Sequence, residues 1–131
     1  MKRYMLDTDS LSYAIRGVGS VRDRLLSCSP SSVCMSSIAF AEIRFGAEKR
    51  ESERLSTGID DLAKILLVEP FDEGAARMYG RLAAQLVNDG TQIGQLDTFI
   101  AAHALSLGVC LVTNNTKHFG RVPRLSIENW K

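Results

Sequence analysis

The sequence predicts an α/β fold, a mostly parallel sheet covered by helices on both faces. Two observations carry this. Short apolar runs recur along the chain, and a stretch of helical period follows most of them. Strands that alternate with helices in this way form parallel sheets with helices packed on each side. A third observation limits the fold to one unit: the 131 residues contain no repeat, linker or low-complexity segment, so residues 1–131 read as a single domain.

The elements follow in order. "YML" at 4–6 is a short strand that ends at Asp7. Thr8 or Asp9 then caps a helix through "SLSYAIR" to the turn "GVGS" at 17–20. "VRDRLLSC" is a second short amphipathic helix, closed by "SPSS". "VCM" at 33–35 is the next strand, and Ser36 or Ser37 caps a helix across "IAFAEIRFGAEKR". A polar helical stretch at about 51–64 leads to the apolar strand "ILLV" at 65–68 and a turn at Glu69-Pro70. "DEGAARMYGRLAAQLVNDG" reads as one long helix stopped by Gly90. The loop "TQIGQL" leads to the helix "DTFIAAHALSLG", "VCLVT" at 109–113 is a buried strand, and "LSI" at 125–127 is a short last one.

Composition excludes several classes. Apolar residues make up 45% and charged residues 24%, as in soluble globular chains. A net charge of +1 gives no field of the kind that marks a generic nucleic-acid or membrane binder. Asp7 interrupts the N-terminal apolar run, and no apolar stretch approaches the roughly 20 residues of a membrane span. Cys28, Cys34 and Cys110 lack CxxC spacing; Cys34 and Cys110 sit in apolar runs and read as buried, reduced thiols. The chain therefore reads as cytoplasmic.

Open parallel sheets bind ligands at the carboxyl ends of their strands. Asp7, Ser36 and Thr113-Asn114-Asn115 all fall just past strand ends. Two further acids stand in apolar company. Glu42 has Ile38, Ala39, Phe45 and Gly46 at helical offsets of three and four, and Asp97 has Ile93, Gly94, Ile100 and Ala101. A carboxylate on an apolar stripe is costly unless paired or metal-bound. A helix-end acid, an acid at the edge of a face and a capping Asp7 are the plainer readings. Taken together, three acids on one sheet edge call for a cation, and all-oxygen donors favour Mg²⁺ or Mn²⁺ over zinc. Carboxylate-held divalent ions hydrolyse phosphodiesters.

"MLDTDSLSYAI", "SSIAFAEIRFGAEK", "IGQLDTFIAAHAL" and "LVTNNTKHF" resemble, in order and over nearly the whole chain, the successive motifs of PIN-domain ribonucleases. The resemblance is closest to the toxins of bacterial VapBC toxin–antitoxin pairs. It implies a PIN-like three-layer sandwich with a central sheet of four to five strands, and Mg²⁺- or Mn²⁺-dependent endoribonuclease activity. It also implies a homodimer that a VapB-type antitoxin inhibits in a larger hetero-oligomer. By position, the catalytic and metal-binding acids are Asp7, Glu42 and Asp97. Where family sites often add an acid in a T-x-D pattern, this chain has Asn115; Asp9 replaces the commoner Asn and is a further metal-side residue. The motifs also resemble those of toxins that cut initiator tRNA.

Around these acids, Thr8, Ser36, Thr113 and Asn114 are the polar residues placed to hold water or orient a ligand. Arg44, Lys49, Lys117 and Arg121 offer cations to an RNA backbone, as do His118 and Arg124; the plainer reading of each is solvated charge. His103, in "AAHAL", reads as a packing histidine, and Trp130 as an anchor for the tail. Two rival functions remain open. Strand-Asp-x-Asp also opens haloacid-dehalogenase-type phosphatases, with Asp7 as nucleophile and Asp9 as acid/base. A PIN-like binding module without activity would account for the neutral Asn115.

Overall fold

β1 (Tyr4–Leu6) forms the centre of the sheet because Met5 and Leu6 are both completely buried, one on each face. It pairs in parallel with β2 (Val33–Ser36) on one side and β4 (Cys110–Val112) on the other. β3 (Leu67–Glu69) adds outside β2 and β5 (Ile127–Glu128) outside β4, giving a five-stranded, all-parallel sheet in the order β3-β2-β1-β4-β5. The computed structural model describes residues 2–131, so of the domain expected over 1–131 only Met1 lies outside the described residues.

Among the described residues seven α-helices connect the strands: α1 (Thr8–Arg16), α2 (Val21–Ser27), α3 (Ser37–Lys49), α4 (Glu53–Ile65), α5 (Glu73–Asp89), α6 (Gln95–Leu107) and α7 (Thr116–Phe119). α1 packs on α2 and on α4, α5 runs along α6, and α3 touches α1, α4 and α6. α1 and α4 approach closely at Gly58, where a Cβ would lie 2.5 Å from Ile15. The tail is fixed by Trp130, which is 2% exposed and meets Tyr4 edge-on at 5.0 Å between ring centroids.

The architecture agrees with the expected α/β sandwich, and the differences are local. α1 is capped by Asp7 rather than Thr8 or Asp9, because the Asp7 carboxylate reaches the Ser10 amide. Helix α4 runs on through Ile65, so the third strand starts at Leu67 and includes Glu69. Leu67 and Val68 are 49% and 37% exposed, as expected at an uncovered sheet edge. α6 begins two residues before Asp97, at Gln95. The last strand lies at Ile127–Glu128 rather than 125–127, and a 3₁₀ turn at Pro30–Ser32 and helix α7 were not expected.

A carboxylate cleft at the carboxyl edge of the sheet

The strand register builds the site. Leu6 lies level with Met35 on one side and Val112 on the other, so Asp7, Ser36 and Thr113 emerge side by side from adjacent strands. Asp7 is held hardest. Its amide donates to the Val112 carbonyl at 3.0 Å, and its Oδ1 accepts from the Ser10 amide at 2.8 Å. Ser10 Oγ in turn donates to the same Val112 carbonyl at 3.1 Å, and the Thr113 hydroxyl also hydrogen-bonds the Asp7 carboxylate. Asp7 is only 5% exposed, and burial lifts its carboxyl above the ordinary carboxylate range despite these hydrogen bonds.

Two helices bring the other acids. Glu42, in the middle of α3, is half-buried and accepts a short hydrogen bond from the Thr8 hydroxyl. Of the apolar stripe expected around it, Ala39 is buried but Phe45 is 65% exposed, so Glu42 stands at the edge of the buried face. Asp97, in the first turn of α6, is partly buried. Its carboxyl is also pushed up, first by burial, then by the charges of Asp7 and Glu42; Asp9 adds to this and His118 opposes it. Asp7, Thr8, Asp9, Glu42, Asp97, Asn115 and Phe119 line one small cleft of about 150 Å³.

The remaining residues singled out in the sequence divide into three groups. In the cleft wall, the Asn115 amide donates to Thr113 Oγ1 at 2.9 Å, and Asn115 begins α7. Asp9 is exposed on the first turn of α1. A second group faces elsewhere. Ser36 is completely buried, caps α3 by accepting from the Ile38 amide, and lies 2.8 Å from His103 Nδ1. His103 packs against Phe71, and burial depresses its pKa, so it stays neutral. Asn114 accepts from the Asn129 amide group at 3.2 Å on the surface. The cations form the third group, and none of them lines the cleft. Arg44 is paired with Asp60 at 2.9 Å, Lys49 lies over the Phe45 ring, Arg121 donates to the Gln92 carbonyl, and Lys117 is exposed.

Two residues in or beside the cleft were missed in the sequence: Phe119 lines it, and His118 stands next to Asp97. Phe119 was not singled out, and His118 was counted only among the surface cations. His118 Nδ1 lies 3.8 Å from Asp97 Oδ2 and has no hydrogen-bond partner among the described residues. The short helix "TKHF" that carries both has too little periodicity to announce itself.

The donor set suits a hard divalent cation. Its oxygens come from carboxylates with a neutral amide beside them, and the charges of Asp7 and Glu42 add to the cost of ionising Asp97. Among the described residues no three His, Cys, Asp or Glu side chains converge into a ready-made cage. Mg²⁺ sites seldom need one, since that ion keeps several waters and takes few protein carboxylates.

Against known proteins, residues 4–125 match the PIN domain family model. The chain is 36% identical to the tRNA(fMet)-specific endonuclease VapC of Shigella flexneri and 38% identical to ribonuclease VapC2 of Haemophilus influenzae, in each case over 99% of both chains. It superposes on the DNA-bound VapBC structure from Salmonella typhimurium with a TM-score of 0.92, at 35% identity over all of both chains. With VapBC2 from Rickettsia felis, bound to a promoter DNA fragment, the TM-score is 0.89 at 34% identity over 98% of each chain. With this match the phosphatase reading of Asp7 and Asp9 falls away. A buried cap acid at the end of the central strand, two helix acids facing it and a full-length match in the same order place the chain in the PIN-domain family, among its VapC ribonucleases.

Proposed function

We propose that the chain is a metal-dependent endoribonuclease, the toxin of a type II toxin–antitoxin pair, and that it cuts RNA phosphodiesters to arrest translation. One observation carries the metal reading: Asp7, Glu42 and Asp97, from three different elements, share one cleft whose lining includes no cationic side chain, and there the charges of Asp7 and Glu42 push the Asp97 carboxyl up. Such an arrangement is stable when a cation supplies the missing positive charge.

Asp7, Glu42 and Asp97 would hold Mg²⁺ or Mn²⁺, which when bound supplies a hydroxide near neutral pH and offsets charge on the attacked phosphate. The protein's own contribution is positioning. Ser10 and Thr113 fix the Asp7 carboxylate, so its lone pairs face the cleft in one orientation. The Thr8 hydroxyl does the same for Glu42. Burial of Asp7 keeps water from relaxing the field of the cluster.

The relatives supply the rest of the reading. The Shigella relative's name specifies tRNA(fMet), which makes initiator tRNA the substrate to try first. The solved VapBC complexes make a VapB-type antitoxin the partner, and an apolar groove lined by Ile15, Leu25, Leu26, Leu62 and Ile65 offers it a surface. Self-association as a homodimer belongs to the same reading and is measured by sedimentation. The deciding experiment adds purified protein to tRNA with Mg²⁺, with Mn²⁺ and with EDTA. Cleavage with either ion and none in EDTA is expected; undiminished cleavage in EDTA would sink the metal reading.

A further inference from the structure

One nitrogen donor stands beside the cleft's oxygens without lining it: that of His118, whose side chain is 43% exposed. His118 Nδ1 is shielded from solvent, has no hydrogen-bond partner among the described residues and lies 3.8 Å from Asp97 Oδ2. A buried imidazole nitrogen normally finds a partner, and an unsatisfied one needs a reason. Two donors on one ion, each about 2.1 Å from it, stand roughly 3.0 to 4.2 Å apart, depending on the angle between them. The observed separation falls inside that span. On the same wall Asn115 leaves the cleft with a neutral amide and no further carboxylate.

Resting on the metal reading of the acids, we infer that His118 is an additional metal donor, shared with Asp97, and that it sets which ion the protein prefers. Imidazole is a softer ligand than carboxylate: Mg²⁺ uses it poorly, whereas affinity rises from Mn²⁺ to Co²⁺ and Ni²⁺ at sites containing nitrogen. With His118 added to an ion held by the cleft's acids, the donor set is mixed nitrogen–oxygen and favours the later first-row ions over Mg²⁺. A merely structural His118 would support all ions alike.

The test measures binding of Mg²⁺, Mn²⁺, Co²⁺ and Ni²⁺ to the full chain by calorimetry, independently of RNA cleavage. His118→Phe removes the nitrogen while keeping a planar ring. It is expected to weaken Co²⁺ and Ni²⁺ about tenfold or more, Mn²⁺ less, and Mg²⁺ scarcely. His118→Asn, which returns an oxygen near the lost Nδ1, should bind Mg²⁺ normally and remain weak for Ni²⁺. The chain has only two histidines, so His103 is an internal control. In imidazole ¹⁵N spectra, diamagnetic Cd²⁺ should shift His118 Nδ1 and leave His103 in place. Equal losses for every ion, no loss for any, or an unmoved His118 resonance would each overturn the inference. If wild-type protein binds no divalent ion at all, the metal reading of the acids falls with it. If binding follows the expected ranking but no RNA is cut, only the proposed activity fails.

Discussion

Two carboxylate neighbourhoods in this molecule treat negative charge in opposite ways. Glu128, at the end of the edge strand β5, accepts from Lys2 Nζ at 2.6 Å, Arg24 Nη2 at 3.3 Å and Trp130 Nε1 at 3.0 Å. Those partners, Lys2 first, pull its carboxyl below the ordinary range. Asp7 and Asp97, at the other neighbourhood, are both pushed above it, by burial and by neighbouring acids. In one place the chain balances its own charge. In the other it leaves the balance to something outside the chain, and that asymmetry distinguishes a working carboxylate from a stabilising one.

The largest effect should come from breaking the unbalanced neighbourhood. Asp7→Asn, Glu42→Gln and Asp97→Asn are each expected to lower RNA cleavage roughly a hundredfold or more while leaving the far-ultraviolet circular dichroism unchanged. Glu128→Gln should cleave at nearly the wild-type rate. A variant of the three that retained cleavage within tenfold of wild type would remove that acid from the site.

Stability should move the opposite way. Without metal, ionised Asp7 costs the fold energy, and Asn caps a helix as well as Asp. Asp7→Asn is therefore expected to raise the melting temperature by a few degrees in EDTA. Glu128→Gln gives up two ion pairs and the charge that strengthens the Trp130 contact, and should lower it by a few degrees. Differential scanning calorimetry reads both. A destabilised Asp7→Asn would mean that the hydrogen bonds to Asp7 outweigh its burial.

Acid sharpens the contrast because the two shifts have opposite signs. Asp7 has a folded pKa above its ordinary 3.8, so its cost is fully present at neutral pH and is relieved as pH falls through the folded value. The melting-temperature advantage of Asp7→Asn should thus be widest near pH 7 and shrink steadily on acidification. Glu128 has a folded pKa below its ordinary 4.5. Its contribution is complete above 4.5 and is lost only as pH drops through the lower folded value, so the Glu128→Gln deficit should stay flat down to about pH 5. Comparing variant with wild type at each pH also cancels His103, whose depressed pKa makes every form lose stability below its ordinary 6.5.

Only one side of this contrast was legible in the sequence. The three acids could be picked out because carboxylates among apolar residues at helical spacing are improbable as surface groups, and the register of a parallel sheet places Asp7 where ligands collect. Glu128 gave no such signal, since its partners Lys2 and Arg24 lie more than a hundred residues away in the chain. The same limit hid His118: one turn of helix packs it against Asp97, and local sequence records nothing of that packing. Element boundaries slipped where a carboxylate or an apolar residue suited two elements equally, as at Asp7, strand-end residue and cap, and at Ile65, expected to open β3 but closing α4.

The smallest expected effect adds charge rather than removing it. Asn115 lines the cleft with the acids but brings only a neutral amide, and its side chain makes no capping hydrogen bond to α7. Asn115→Asp places another carboxylate beside Asp7 and Asp97 without disturbing a side-chain contact that α7 needs. In EDTA the added repulsion should lower the melting temperature by a degree or two, making the cleft still less like the surroundings of Glu128. With Mg²⁺ the sign reverses, because hard cations gain from each anionic oxygen, and affinity measured by calorimetry should rise a few fold. Loss of stability in EDTA with unchanged Mg²⁺ affinity would place Asn115 on the wall of the cleft but away from the ion, leaving Asp7, Glu42 and Asp97 to hold it.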